Sequence, residues 1–151
     1  MLRMSKLTDY GTMVLAQLAA SDRGLTTAGQ LADATHLAQT TVSKLLKALV
    51  HAGLVLSTRG VQGGYTLARP ADAISAAEIL DALEGPVAIT ECSSSSGGCD
   101  LESFCRVGSA WQRINHSIRE ALDSVSLADL QQRREPLPNL RTDLRAAALA
   151  R

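Results

Sequence analysis

With 151 residues, 46% apolar but only 3% aromatic, the chain can close one core of aliphatic side chains and carry an extension beyond it. No apolar run approaches the roughly 20 residues of a membrane span, and the opening Met1-Leu2-Arg3-Met4-Ser5-Lys6 lacks a signal-peptide core, so a cytoplasmic protein is expected. Net charge is zero, yet residues 1–70 carry seven Lys or Arg against three acids and residues 71–151 eight against twelve, which separates a basic front from an acidic rear.

The helical periods predict a mainly α protein. Ser5 caps a first helix with Leu7, Val14, Leu15 and Leu18 on one face, ending near Ser21-Asp22-Arg23-Gly24. Thr27-Ala28-Gly29-Gln30 reads as a capping box opening a short second helix, which breaks at Thr35-His36-Leu37. A third helix sets Val42, Leu45, Leu46 and Leu49 inward and Thr40, Ser43, Lys44 and Lys47 outward, and stops at Gly53. Two short helices with the second polar and basic outside form a helix-turn-helix pattern. Leu54–Arg59 and Tyr65–Pro70, joined by a glycine-rich tip, follow as a β-hairpin, the wing. Residues 1–70 are thus predicted to be a winged helix-turn-helix DNA-binding domain.

Ser75-Ala76-Ala77-Glu78 is a second capping box, stapled by Ile74 and Ile79, and its helix breaks at Gly85-Pro86. This helix and the cysteine loop after it make up residues 71–103. From Phe104, the residues Val107, Trp111, Ile114, Ile118, Ala121 and Val125 step by four and three. So narrow a seam on a helix of about 25 residues predicts a dimerisation helix over 104–133, with Trp111, Ile114 and Ile118 at its centre. Pro136 and Pro138 end it, and residues 134–151 read as a mobile tail.

The three cysteines, Cys92, Cys99 and Cys105, lie in one stretch that is otherwise rich in Ser and Gly. Such a stretch has no side chains with which to build a core. An odd thiol count argues against a disulfide framework. Three soft ligands suit a transition-metal centre, and the tight pair with which structural zinc sites begin is absent, which favours iron–sulfur. Zinc and a metal-free redox thiol cluster stay open at this point. His36, His51 and His116 are scattered away from the thiols and read as surface residues. No nucleophile–base pair or cofactor loop suggests an enzyme, and no small-molecule substrate is expected.

Several stretches resemble the IscR/NsrR-type iron–sulfur winged-helix transcriptional regulators of bacteria, over roughly residues 1–130. They are Met1-Leu2-Arg3, Leu7-Thr8-Asp9-Tyr10, Lys44–Leu49 with Ala52-Gly53-Leu54-Val55, and the wing Ser57-Thr58-Arg59-Gly60-Val61-Gln62-Gly63-Gly64-Tyr65-Thr66-Leu67-Ala68. The three cysteines ahead of a helix with Trp111 complete the likeness. The opening most resembles the branch that regulates the SUF cluster-assembly operon.

The resemblance implies a homodimeric repressor whose cysteines hold a [2Fe-2S] cluster, or else a [4Fe-4S] cluster, completed by one non-cysteine ligand. The histidine that IscR-like members place three residues after the last cysteine is Gly108 here. The NsrR-like pattern instead points to Asp9, from the partner subunit. Expected operator contacts are Thr40, Thr41, Ser43, Lys44 and Lys47 in the major groove of double-stranded DNA, with Arg59 and Gln62 at the minor groove. A nitric-oxide or redox sensor of the same architecture, or a zinc-stabilised DNA binder, are the alternatives.

Overall fold

Ser5 begins the first helix as expected: its hydroxyl accepts the Leu7 amide at 3.1 Å, and α1 spans Lys6–Ala20. The computed structural model describes residues 5–21, 24–90, 93 and 107–131. The three cysteines and the expected tail lie outside these residues. Thr27 and Gln30 form the reciprocal capping box that opens α2, Ala28–Thr35, with bonds of 3.2 and 2.8 Å. His36 takes the left-handed conformation, φ 56°, that stops α2 and turns the chain toward α3, Gln39–His51.

The core is aliphatic. Val14, Leu15 and Leu18 of α1, Leu31 of α2 and Val42, Leu45, Leu46 and Leu49 of α3 bury one face of each helix against the others. The hairpin pairs β1, Val55–Thr58, with β2, Gly64–Leu67, in antiparallel register from Val55↔Leu67 to Thr58↔Gly64. Tyr65 also pairs on its far side with Thr26, amide to carbonyl in both directions at 2.9 and 3.0 Å. The wing is therefore fastened to the segment that leads into α2.

A single 3₁₀ turn at Ala71–Ala73 leads to α4, Ala76–Glu84, where the Ser75–Glu78 capping box forms. Ile74 and Ile79 are both buried, as a hydrophobic staple requires. Gly85, at φ 90°, ends the helix.

The C-terminal region departs from the single long helix expected over 104–133. α5 spans Gly108–Asp123 and a separate short helix, α6, spans Leu127–Gln131. Backbone pairing across the fold breaks the helix. The Ala76 amide donates to Val125 carbonyl and the Leu127 amide to Ile74 carbonyl, both at 2.8 Å. Ser126 then caps α6 by exchanging hydrogen bonds with Asp129, at 3.1 and 3.0 Å. This turn sends Leu127 into the core, fully buried, and lays α6 beside α1, where Gln131 donates to the Ala16 carbonyl at 2.8 Å.

Leu127 therefore belongs to the core shared by α1, α2 and α3 and not to an outlying arm. Leu127→Ala is expected to lower unfolding free energy by about 2–5 kcal/mol, whereas Leu130→Ala, half exposed on the same helix, should cost little. Urea denaturation at one fixed protein concentration checks this; equal losses for the two variants would show that α6 does not dock as described.

Candidate functional site

α3 presents the surface expected of a recognition helix. Thr40, Ser43, Lys44 and Lys47 are exposed on the side opposite its buried leucines, with Gln39 beside them at the N-terminus. Thr41 is half-buried, which leaves it less reach than its neighbours. The N-cap residue is Ala38, so no side chain caps the first turn. Such an open helix N-terminus favours an anionic acceptor.

The wing tip is built by close backbone approach. A Cβ on Gly63 would collide with the Thr58 carbonyl, and one on Gly64 would sit 3.0 Å from the Thr26 carbonyl. Glycines at both positions let the hairpin close and lie against Thr26. Arg59 and Gln62 project from this tip, both exposed. Among the described residues, Lys44, Lys47 and Arg59 enter no ion pair, while Arg69 holds Glu78 and Arg119 holds Asp81, each at 2.7 Å. The cations of α3 and the wing are thus free, among the described residues, to meet a partner outside the chain.

α5 stands against α4 through the two-pronged Arg119–Asp81 contact, at 3.0 and 2.7 Å. Of its residues only Gly108 is buried. Trp111 and Ile114 are 40% and 45% exposed, Val107 is exposed and Ile118 half-buried, so the predicted stripe does not pack into its own domain. Ala121 continues the stripe, but Val125 falls in the break before α6.

The thiols Cys92, Cys99 and Cys105 fall outside the described residues. Asp9 is exposed in the first turn of α1, at the lip of an apolar groove that includes Met13, Leu80, Leu122 and Leu130. Its carboxylate has no hydrogen-bond partner among the described residues. Gly108 is buried in the first turn of α5 and offers no donor atom.

Two further residues frame the cysteine stretch, and sequence reasoning missed both. Glu84, at the end of α4, reaches the start of α1: its Oε1 accepts the Ser5 amide at 2.8 Å and the Thr8 hydroxyl. Asn115 of α5 holds the chain just after α4, accepting the Ile89 amide at 3.2 Å and donating to the Val87 carbonyl at 3.1 Å. These contacts cross 79 and 26 residues of sequence, and no local motif announces them.

Residues 4–133 match the Rrf2 family, described as an iron-dependent transcriptional regulator. The chain belongs to the Rrf2 family. Among solved structures it resembles CymR (YrzC), the global cysteine regulator of B. subtilis, at 32% identity and TM-score 0.68 over 89% of this chain and all of that one. It resembles T. potens IscR at 30% identity and TM-score 0.65, over 93% of this chain and 96% of that one. The oxidised form of Staphylococcus aureus CymR matches at 27% identity and TM-score 0.62, over 89% and 100%. The winged-helix reading and the IscR/NsrR-type resemblance are thereby established. Rrf2 members are DNA-binding transcriptional regulators and not enzymes. Among the described residues, no helix is long and apolar enough to cross a membrane.

The Glu84 contact gives this Rrf2 protein a measurable pH dependence. The hydrogen bond from the Thr8 hydroxyl, with those from Ser5, holds the Glu84 carboxyl below its ordinary value of 4.5. A carboxylate with a depressed folded-state pKa stabilises the fold above its unfolded value, and that contribution is lost as pH falls through the folded value. The parent should therefore have a higher urea midpoint than Glu84→Gln at pH 7, and the gap should begin to close as pH falls to about 4.5 and vanish only below the lower folded-state value. Equal midpoints at pH 7 would contradict the clamp.

Proposed function

We propose that this protein is a homodimeric, cytoplasmic Rrf2 repressor whose affinity for a double-stranded operator depends on an iron–sulfur cluster, controlling iron–sulfur assembly genes in the manner of the SUF-operon branch. The observation that carries the reading is the pairing of two features on one chain. Cations without an ion pair among the described residues occupy α3 and the wing, and three thiols lie in the sequence between α4 and α5. The likeness to T. potens IscR supports it.

In this reading α3 enters the major groove. Thr40, Ser43 and Thr41 face base edges and phosphates from its open N-terminus, and Lys44 and Lys47 neutralise backbone charge. Arg59 and Gln62 approach the adjacent minor groove. The α5 stripe of Trp111, Ile114 and Ile118 pairs two subunits and sets the spacing of their recognition helices.

The donor set fits a cluster. Cys92, Cys99 and Cys105 supply soft thiolates, Asp9 is exposed and without a partner among the described residues, and Gly108 has no side chain to serve as fourth ligand. A [2Fe-2S] cluster is favoured over [4Fe-4S]. When bound it supplies the ordering that a Ser/Gly-rich stretch lacks, together with a site that oxidants or nitric oxide can destroy. The chain's own contribution is mechanical. Glu84 ties the end of α4 to the first turn of α1, where Asp9 sits, and Asn115 ties residues 87 and 89 to the pairing helix. Ordering at the thiols therefore meets both the DNA-binding domain and the dimer seam, the two-state element that a switch requires.

A second reading keeps the fold and makes the thiols themselves the sensor, because the chain is also similar to the cysteine regulator CymR. Anaerobic purification followed by iron and sulfide counts separates the two: near-stoichiometric iron and sulfide support the cluster, and a colourless protein overturns it. Asp9→Ala is expected to keep fold and dimer but to lose its cluster to chelator several-fold faster than the parent. Glu91→Ala, Asp100→Ala and Glu102→Ala should behave like the parent. A loop variant that loses the cluster while the Asp9 variant holds it would make the fourth ligand local.

For DNA, Arg59→Ala should cost about 1–3 kcal/mol of specific binding. Lys47→Ala should weaken specific and non-specific binding alike and reduce the salt slope by about one. Gel shifts at several salt concentrations read both effects; no loss for either variant would place the DNA face elsewhere.

A further inference from the structure

Val61 breaks two local rules at once. The turn Gly60-Val61-Gln62-Gly63 is closed by the Gly63 amide on the Gly60 carbonyl at 2.9 Å, which puts Val61 at its first corner. Turn corners favour Pro, Asp, Asn, Ser and Gly, and a β-branched residue brings no turn chemistry of its own. Val61 also buries nothing: its side chain is fully exposed, the most exposed of the large apolar residues described. A lone exposed apolar residue is common on protein surfaces; what marks this one is its place at the hairpin tip, two residues from the exposed Arg59.

The support under it is firm. The strands stay in register to Thr58↔Gly64, Gly63 lies against the Thr58 carbonyl, and Tyr65 is bonded to Thr26 behind the hairpin. Arg59, two residues earlier, carries a guanidinium without an ion pair among the described residues. A narrow A·T minor groove, with its deepened negative potential, attracts such a cation. Arginine flanking an apolar tip is a combination suited to that groove.

We infer that Val61 is a specificity residue of the DNA contact: it selects A·T pairs at the minor-groove step under the wing and rejects G·C pairs there. This rests on the reading of the hairpin as a DNA-contacting wing. The chemistry follows from what the minor groove displays. A·T and T·A show acceptors only, and G·C adds the guanine 2-amino donor. At the place of that amine adenine has an apolar C2–H edge. An isopropyl group packs on that edge, but over guanine it would bury an amine and give it no acceptor.

The test uses the anaerobically purified protein and a pool of random-sequence duplex DNA. The parent is expected to enrich A·T at positions flanking each half-site. On the enriched duplex, changing one flanking A·T to G·C should weaken binding about five- to tenfold, in the range of one mismatched pair. An inosine·C pair keeps the major-groove face of G·C but lacks the amine, so it should bind like A·T. In Val61→Asn, whose amide oxygen can accept from the amine, the A·T over G·C ratio should fall below about twofold, with half-site preference and urea midpoint unchanged. The inference is overturned if inosine·C behaves as G·C, or if the variant keeps the parent's ratio. Recovery of no preferred sequence by the parent would sink the wing reading itself and this inference with it. Loss in Arg59→Ala but not in Val61→Asn would leave the wing standing and Val61 without a role.

Discussion

Two backbone hydrogen bonds, from the Ala76 amide to Val125 and from the Leu127 amide to Ile74, decide how the rest of this chain can behave. They stitch the segment after α5 to the segment before α4, and so bring Leu127 of α6 into the core formed by α1, α2 and α3. α5 is then stretched between two fixed places: the residues tied by Asn115 near the end of α4, and the Ser124–Ser126 break. It meets its own subunit through Arg119 on Asp81, Asn115 on residues 87 and 89, and Asp123 on Ser75. The exposed Trp111 and Ile114 thus follow from chain geometry, and an apolar strip of this kind calls for a second surface.

The same tie explains how a small aliphatic core is completed. With so few aromatic residues, the helices of the winged domain must close around leucine, valine and isoleucine, and Ile74, Ile79 and Leu127 fill the side left open by α1 and α3. The acidic rear of the chain also acquires a purpose there. Asp81, Glu78 and Glu84 are used up on Arg119, Arg69 and the start of α1. Among the described residues, the cations of α3 and the wing enter no such pair.

Local signals were read well from residues alone. Ser5, the Thr27–Gln30 and Ser75–Glu78 boxes, Gly53 and Gly85 mark helix ends because each acts within one turn. The helix break at Ser124–Ser126 was overlooked although Ser126-Leu127-Ala128-Asp129 spells a start signal, since the four-and-three stepping ran through it and periodicity outweighed the cap. Glu84 and Asn115 were illegible for another reason. A carboxylate reaching 79 residues back leaves no pattern in sequence; only the packing of α4 on α1 creates it. The recognition-helix surface was legible because a 3.6-residue period separates its lysines from its leucines. Thr41 sits at the border of the two faces.

The pairing of Tyr65 with Thr26 has a consequence for kinetics. A free two-stranded hairpin is marginal in water and would have to freeze its backbone on meeting a ligand. Here the third strand residue comes from the chain leading into α2, so hairpin and helix pair move as a single body. The entropy of arranging them is spent during folding, once, and each encounter with DNA begins from a shape already set. For a surface set in advance, differences in affinity between related partners are expressed mostly in the rate of release.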